Sequence, residues 1–429
     1  MKKTPYYKKT LPNGLRVVVI PMQATEAVTL SVLIGTGSKY EIKRINGVSH
    51  FLEHLFFKGS EKRPNPGDVH HALDRIGAEH NAATSKELTF YWVKTAAKHF
   101  DTALDVISDI LLNPLFKPEE IDKERGVISQ EINMYEDMPM RKIGDTWEEL
   151  LYGDQPAGWN IAGTHKIIKN IPREEIIKYR DSQYVASNTI AVVAGKIDPD
   201  EAFKKVKEAL GGFKSGRARS KVKVKETQHK PQTRMIAKKT DQAHFILGFR
   251  NGYDMYDERR HAVDLLGVIL GGTSSSRFFR EIREKRGLAY YVRAGSEHYT
   301  DSGYFAGSAG VLIDGLEEAV RIMLDEFKDI VKNGPSEDEV KFAKDNLRGS
   351  LALSFESSDE IAGFYGEREL FHKKLFTPEE MFKHIEKVSR DDIIKVAREI
   401  FKPRNLNLAV IGPRQTNIRF QKLLANAFR

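Results

Sequence analysis

No cysteine occurs among the 429 residues. Disulfides, thiolate metal sites and cysteine nucleophiles are therefore excluded, and any bound metal must take histidine and carboxylate ligands. Long apolar runs are missing too: no stretch approaches the ~18–20 continuous apolar residues of a membrane span. The N-terminus, MKKTPYYKKTLPNG, is basic, but no apolar signal-peptide core follows it and it is not an Arg- and Ser-rich presequence. Nor is there a strong charge imbalance. The net charge of +8 is a small excess of 68 basic over 60 acidic residues. The densest basic run, 213 to 234, reads as a solvated linker rather than a nucleic-acid face. The expectation is a protein with no nucleic-acid or membrane partner. Its expected location is the cytoplasm of a bacterial-type cell, with a processed organellar form left open.

What is present is a duplicated design. IPREEIIKYRDSQYVASNTIAVVAG (171–195) aligns without a gap with VSRDDIIKVAREIFKPRNLNLAVIG (388–412). Arg173, Ile176, Ile177, Lys178, Asn188, Val193 and Gly195 recur as Arg390, Ile393, Ile394, Lys395, Asn405, Val410 and Gly412. Each copy reads as an amphipathic helix followed by a buried strand. The first half suggests further strands at 15–20, 27–35, 80–84 and 88–95. Helices are expected near 47–58, 67–76, 97–112, 118–138, 141–152, 173–184 and 199–210. The second half suggests strands near 242–250, 289–298, 302–309 and 405–411. Strand pairs beside segregated helices predict an α+β fold of two duplicated domains, each a mainly antiparallel sheet with helices packed on it. The expected division is 1–212, a charged linker at 213–233, and 234–429.

One short stretch carries chemistry. GVSHFLEHLFFKG (47–59) is apolar except for His50, Glu53, His54 and a few small or terminal residues. On a helix, Val48, Phe51, Leu52, Leu55 and Phe56 form one apolar face, and His50 and His54 stack one turn apart on another side. Two imidazoles at that spacing can reach one metal ion, and H-x-x-E-H is the inverted form of the H-E-x-x-H zinc string. A catalytic zinc needs a third protein ligand. The helix EEIDKERGVISQEINMYED (119–137) offers two. Glu124 and Glu131 are seven residues apart, about 20° around the helix, along the edge of the stripe Ile121, Ile128, Ile132 and Tyr135.

These residues resemble the pitrilysin family of zinc peptidases, which includes insulin-degrading enzyme and the mitochondrial processing peptidase. In that family a liganding Glu follows the H-x-x-E-H helix by 77 residues, and Glu131 follows His54 by 77. The resemblance implies one Zn²⁺ per chain on His50, His54 and Glu131, Glu53 as general base, and Glu124 as a supporting carboxylate. GAEHNAATSKELTFYWV (77–93) is similar to the family's active-site edge strand, which would set Asn81 and Ala82 beside the substrate backbone. REKRGLAYYV (283–292) resembles the family's Arg–Tyr pair, here Arg283 and Tyr290. The resemblance further implies a peptide substrate and a clamshell chamber built as a homodimer. The alternatives are a catalytically silent scaffold or a partner subunit of a related processing peptidase. The small-residue run GGTSSSR (271–277) lacks the G-x-x-x-x-G-K-[ST] spacing of a nucleotide loop and reads as a turn into the helix carrying Arg283.

Overall fold

The computed structural model describes residues 5–373, 375–413 and 417–428. The basic start at 1–4 lies outside them. The chain forms two compact units, each with its own sheet. The first sheet contains β1 (Tyr7–Thr10), β2 (Arg16–Pro21), β3 (Ala27–Ile34), β4 (Glu79–Thr84), β5 (Thr89–Ala96) and β6 (Thr189–Gly195), in the order β1-β2-β6-β3-β5-β4. The second contains β7 (Gln232–Ala237), β8 (Gln242–Arg250), β9 (Ala289–His298), β10 (Gly303–Leu312) and β11 (Leu406–Gly412), in the order β7-β11-β8-β10-β9. Each sheet has one parallel pair, β2–β6 and β7–β11, and is otherwise antiparallel. The fold is α+β, as the sequence predicts.

The duplication is visible in the strand order. β6 and β11, the repeated strands, occupy matching places inside their sheets and are buried along their whole length. β4 and β9 lie at matching edges. β1 and β7 are the strands the sequence does not announce. β1 is exposed at every position, and β7 follows directly on the charged linker with no fully buried residue. Neither shows the alternation that marks a half-buried strand.

The five helices that precede residue 153 in the first half are α1 (Val48–Phe56), α2 (Asp68–Asp74), α3 (Phe100–Leu112), α4 (Pro118–Asp137) and α5 (Pro139–Tyr152). Between residues 213 and 230 no helix or strand forms. The compact units depart from the sequence division of 1–212, 213–233 and 234–429 in two segments. Residues 134–158, including α5, belong to the second unit, and residues 352–379, including the helix Ser358–His372, belong to the first. The repeats exchange a helix. α5 lays Ile143, Trp147 and Leu151 against Ala409 and Ile411 of β11, with Trp147 edge-on to Tyr304 at 5.7 Å. The helix Ser358–His372 packs on β3 and β6 and anchors there through Arg16, which donates to the carbonyl and the carboxylate of Glu369. An amphipathic pattern reveals that a helix has a buried face but not which sheet covers it.

Trp147→Ala is expected to destabilise the second unit by about 3–5 kcal/mol, the usual cost of truncating a buried Trp. Amide exchange should rise in β8, β10 and β11 and stay unchanged in β3 and β6. The reverse pattern would refute the helix exchange.

Candidate metal centre

α1 begins abruptly. Gly47 holds φ at +96°, a left-handed conformation that favours glycine, and a Cβ there would meet the Ala162 carbonyl oxygen at 2.7 Å. From that start the helix sinks Val48, Phe51, Leu52, Leu55 and Phe56 into the first unit's core. Phe56 packs among the rings of Tyr91, Phe116 and Tyr184. His50 and His54 come to the opposite side with ring centroids 4.6 Å apart. That side is not open water: His50 is buried.

α4 supplies the third group. Ile121, Ile128 and Ile132 fix it to the same core, which turns Glu124 and Glu131 toward α1. One oxygen of Glu131 lies 3.5 Å from His50 Nε2 and 3.4 Å from His54 Nε2. The ligand atoms of His50, His54 and Glu131 all fall within 4.8 Å of one another, and no other such group occurs among the described residues. Glu124, buried, has a different task. Its carboxylate takes a hydrogen bond at 3.1 Å from His54 Nδ1 and pairs with Lys58 Nζ at 2.8 Å. A carboxylate on Nδ1 is the usual outer partner of a metal-bound imidazole, and it would leave His54 Nε2 to take a metal in place of a proton.

The electrostatics favour a cation. Burial opposes charge on His54, but the hydrogen bonds to Glu124 and Glu131 outweigh it and push the imidazole up to about 9. The contacts from His50 and His54 hold Glu131 far below the usual carboxylate range. Burial works against ionisation of Glu124, yet His54 and Lys58 hold it below its ordinary value. Two nitrogens and a carboxylate oxygen, converging at this separation with a carboxylate behind one imidazole, fit the three-ligand donor set of a catalytic zinc.

Glu53 stands beside this group on the same helix, half-buried, and accepts a hydrogen bond of 2.5 Å from Thr84 Oγ1. Thr84 ends β4, the sheet edge. The β4–β5 turn closes with Ser85 N donating to Leu88 O, so stepping back by twos places the backbone groups of Thr84, Ala82 and His80 on the unpaired edge. The outward amide of Ala82 donates to the side chain of exposed Asn81 at 2.9 Å. His80 is bonded instead to His70 of α2, Nε2 to Nδ1 at 2.9 Å.

Arg283 and Tyr290 come together in the second unit. Arg283 donates to the Tyr290 carbonyl at 2.7 Å and lies against the rings of Phe279 and Tyr290. The Tyr290 side chain is 76% exposed, so it is not strand core. Within the run 271–277, residues 273–276 form a turn between the helical segment Val268–Gly272 and the one that carries Arg283. Sequence reading passed over Thr84, Lys58 and Glu41. Each is a lone residue of a common type with no motif spacing, and only the folded contacts single it out.

With this geometry in view, comparisons with known proteins are specific. Residues 16–165 match the Insulinase (Peptidase family M16) model, and residues 170–347 match the Peptidase M16 inactive domain. A Bacillus subtilis protein named uncharacterized zinc protease YmxG is 33% identical over 404 residues, covering 94% of this chain and 97% of its own. The chain belongs to peptidase family M16. An uncharacterized zinc protease of Streptomyces coelicolor is likewise 33% identical, over 95% of this chain and 89% of its own. The crystal structure of a Helicobacter pylori protease shares the fold with a TM-score of 0.89 at 23% identity, over 96% of this chain and 100% of that one. A Pseudomonas fluorescens structure described as a peptidase M16 inactive domain gives 0.88 at 20% identity, over 96% of this chain and 98% of that one. This is the pitrilysin family that the motifs resemble.

Glu131→Ala is expected to abolish tight zinc binding, and Glu124→Gln to weaken it about 10- to 100-fold, the usual cost of losing an outer partner. Competition against a chromophoric chelator reads both. Wild-type affinity in Glu131→Ala would remove Glu131 from the site.

Proposed function

We propose that this chain is a zinc-dependent endopeptidase acting on peptides or unfolded polypeptides held in extended form. The observation that carries the reading is the convergence of His50, His54 and Glu131 with Glu53 at their side. His50 Nε2, His54 Nε2 and Glu131 would hold one zinc, with Glu124 orienting His54. Bound zinc supplies a Lewis acid for the scissile carbonyl and acidifies the attacking water.

The remaining work falls to the chain's own groups. Glu53 takes the proton of the attacking water and returns it to the leaving amine. Its hydrogen bond to Thr84 keeps the carboxylate turned toward the sheet edge. A substrate in extended form adds to β4 as a further strand, main chain to main chain. For that, Asn81 releases the Ala82 amide to the substrate carbonyl, and selectivity for side chains is correspondingly loose. Arg283 and Tyr290 donate to a substrate carbonyl or to the developing oxyanion. The clamshell and the homodimer follow from the family resemblance, with each chain's Arg–Tyr pair serving its partner's metal site. A silent scaffold is the second reading. The inactive-domain match favours it, but that match covers residues 170–347, outside the metal group at 50–131.

Glu53→Gln is expected to retain zinc and lose about 10²- to 10⁴-fold in turnover, the range of a general base. Normal cleavage by this variant would eliminate Glu53 as the base. Mixing Glu53→Gln chains with Arg283→Ala chains, each inactive alone, should restore part of the activity if the sites are shared. No recovery at any ratio would count against the homodimer.

A further inference from the structure

The metal-bearing helix and the edge strand are separate elements, and the mechanism needs them in fixed register. Residues 37–41 touch both. On one side, Ser38 N and Lys39 N donate to the carbonyls of Ser85 and Lys86 at 3.2 and 2.9 Å, in the turn that ends β4. Lys39, 1% exposed, pairs with buried Glu87 of the same turn at 2.8 Å. The approach is so close that a Cβ on Gly37 would lie 2.2 Å from the Ser85 carbonyl oxygen.

On the other side, Glu41 grips the start of α1. One carboxylate oxygen accepts from Gly47 N at 2.7 Å and Asn46 Nδ2 at 2.9 Å, and the other accepts from Ser49 N at 2.8 Å. Gly47 N and Ser49 N are backbone amides at the helix start with no helical partner, and such amides ordinarily take a side chain of the capping residue itself. Here Gly47 has none, and a buried carboxylate from six residues upstream replaces it. Burial pushes the Glu41 carboxyl up to about 7, while the donors at Ser49, Gly47 and Asn46 pull it down. A second link runs from Thr36 Oγ1 through the Tyr179 hydroxyl to Ser49 Oγ, at 2.9 and 2.8 Å.

We infer that residues 37–41 are a brace that sets α1 against β4, with Lys39 and Glu41 as positioning residues for Glu53. The braced elements meet at the Thr84–Glu53 hydrogen bond, the contact that aims the base. Two buried side chains two residues apart thus hold the two halves of the reaction geometry: Glu41 the helix that carries His50, Glu53 and His54, and Lys39 the strand that takes the substrate. The inference rests on the peptidase reading proposed above.

The test uses Lys39→Met and Glu41→Gln in the full chain. Lys39→Met leaves Glu87 its second partner, Lys221 at 3.2 Å, so no charge is stranded. It is expected to keep zinc affinity and lower kcat about 10- to 100-fold, since a displacement near 1 Å suffices. Glu41→Gln is expected to lower kcat similarly, to change the visible spectrum of the cobalt-substituted protein, and to speed amide exchange at 47–50. Tyr179→Phe, nearly isosteric, should give a smaller loss of the same kind and stands in if Glu41→Gln does not fold. Wild-type kcat in Lys39→Met and in Glu41→Gln or its stand-in would overturn the brace and leave the peptidase standing. If wild-type protein cleaves no peptide, the peptidase reading fails, and the brace is judged by cobalt spectrum and exchange alone. Unchanged values there would overturn it too.

Discussion

A helix of nine residues has to face two ways, and the rest of the first unit follows from that constraint. α1 must bury Phe51, Leu52, Leu55 and Phe56 to stay in place, and it must present His50, Glu53 and His54 on the side left over. A helix so short is not stable by propensity alone. Core packing fixes one face, a left-handed glycine and a borrowed carboxylate fix its start, and Lys58 at its far end pairs with Glu124 of α4. Glu124 and Glu131 of α4 then face the two imidazoles in a half-buried setting. A divalent cation is the natural way to neutralise that arrangement.

The duplicated architecture accounts for a single His–His–Glu cluster among the described residues. The second unit repeats the strand order around β8, β10 and β11, but its chain carries no H-x-x-E-H. Where α4 has Glu124 and Glu131, an approximate alignment of the helix Glu337–Ser354 offers Ala343 and Ser350, and Ala343 is fully buried. The repeat has kept its scaffold and changed its surface chemistry. At its own edge strand stands Tyr290 with Arg283 against it, as β4 stands at the matching edge of the first sheet.

Much of this was legible in the sequence because it is periodic. Strands such as Ala27–Ile34 and helices such as Pro118–Asp137 announce themselves by apolar spacing, and His50 and His54 by their i, i+4 spacing, while Glu131 is singled out from Glu124 only by the family resemblance. The rest is not periodic. Tyr7–Thr10 becomes a strand only by pairing with Arg16–Pro21, since none of its side chains is buried. The exchanged helices have apolar faces whose partners only tertiary structure can assign. Glu41 and Thr84 matter because of what lies opposite them, across six and thirty-one residues of chain. His50 was legible as a candidate ligand but not as buried, because angular position on a helix says nothing of what packs above it.

The most direct test of the account is metal-dependent cleavage of a quenched fluorescent peptide by the full chain, with metal analysis on the same sample. The account predicts one zinc per chain, loss of cleavage after chelation, and recovery when zinc is returned. Folded protein that binds no metal and cleaves nothing would contradict it and leave the scaffold reading in its place.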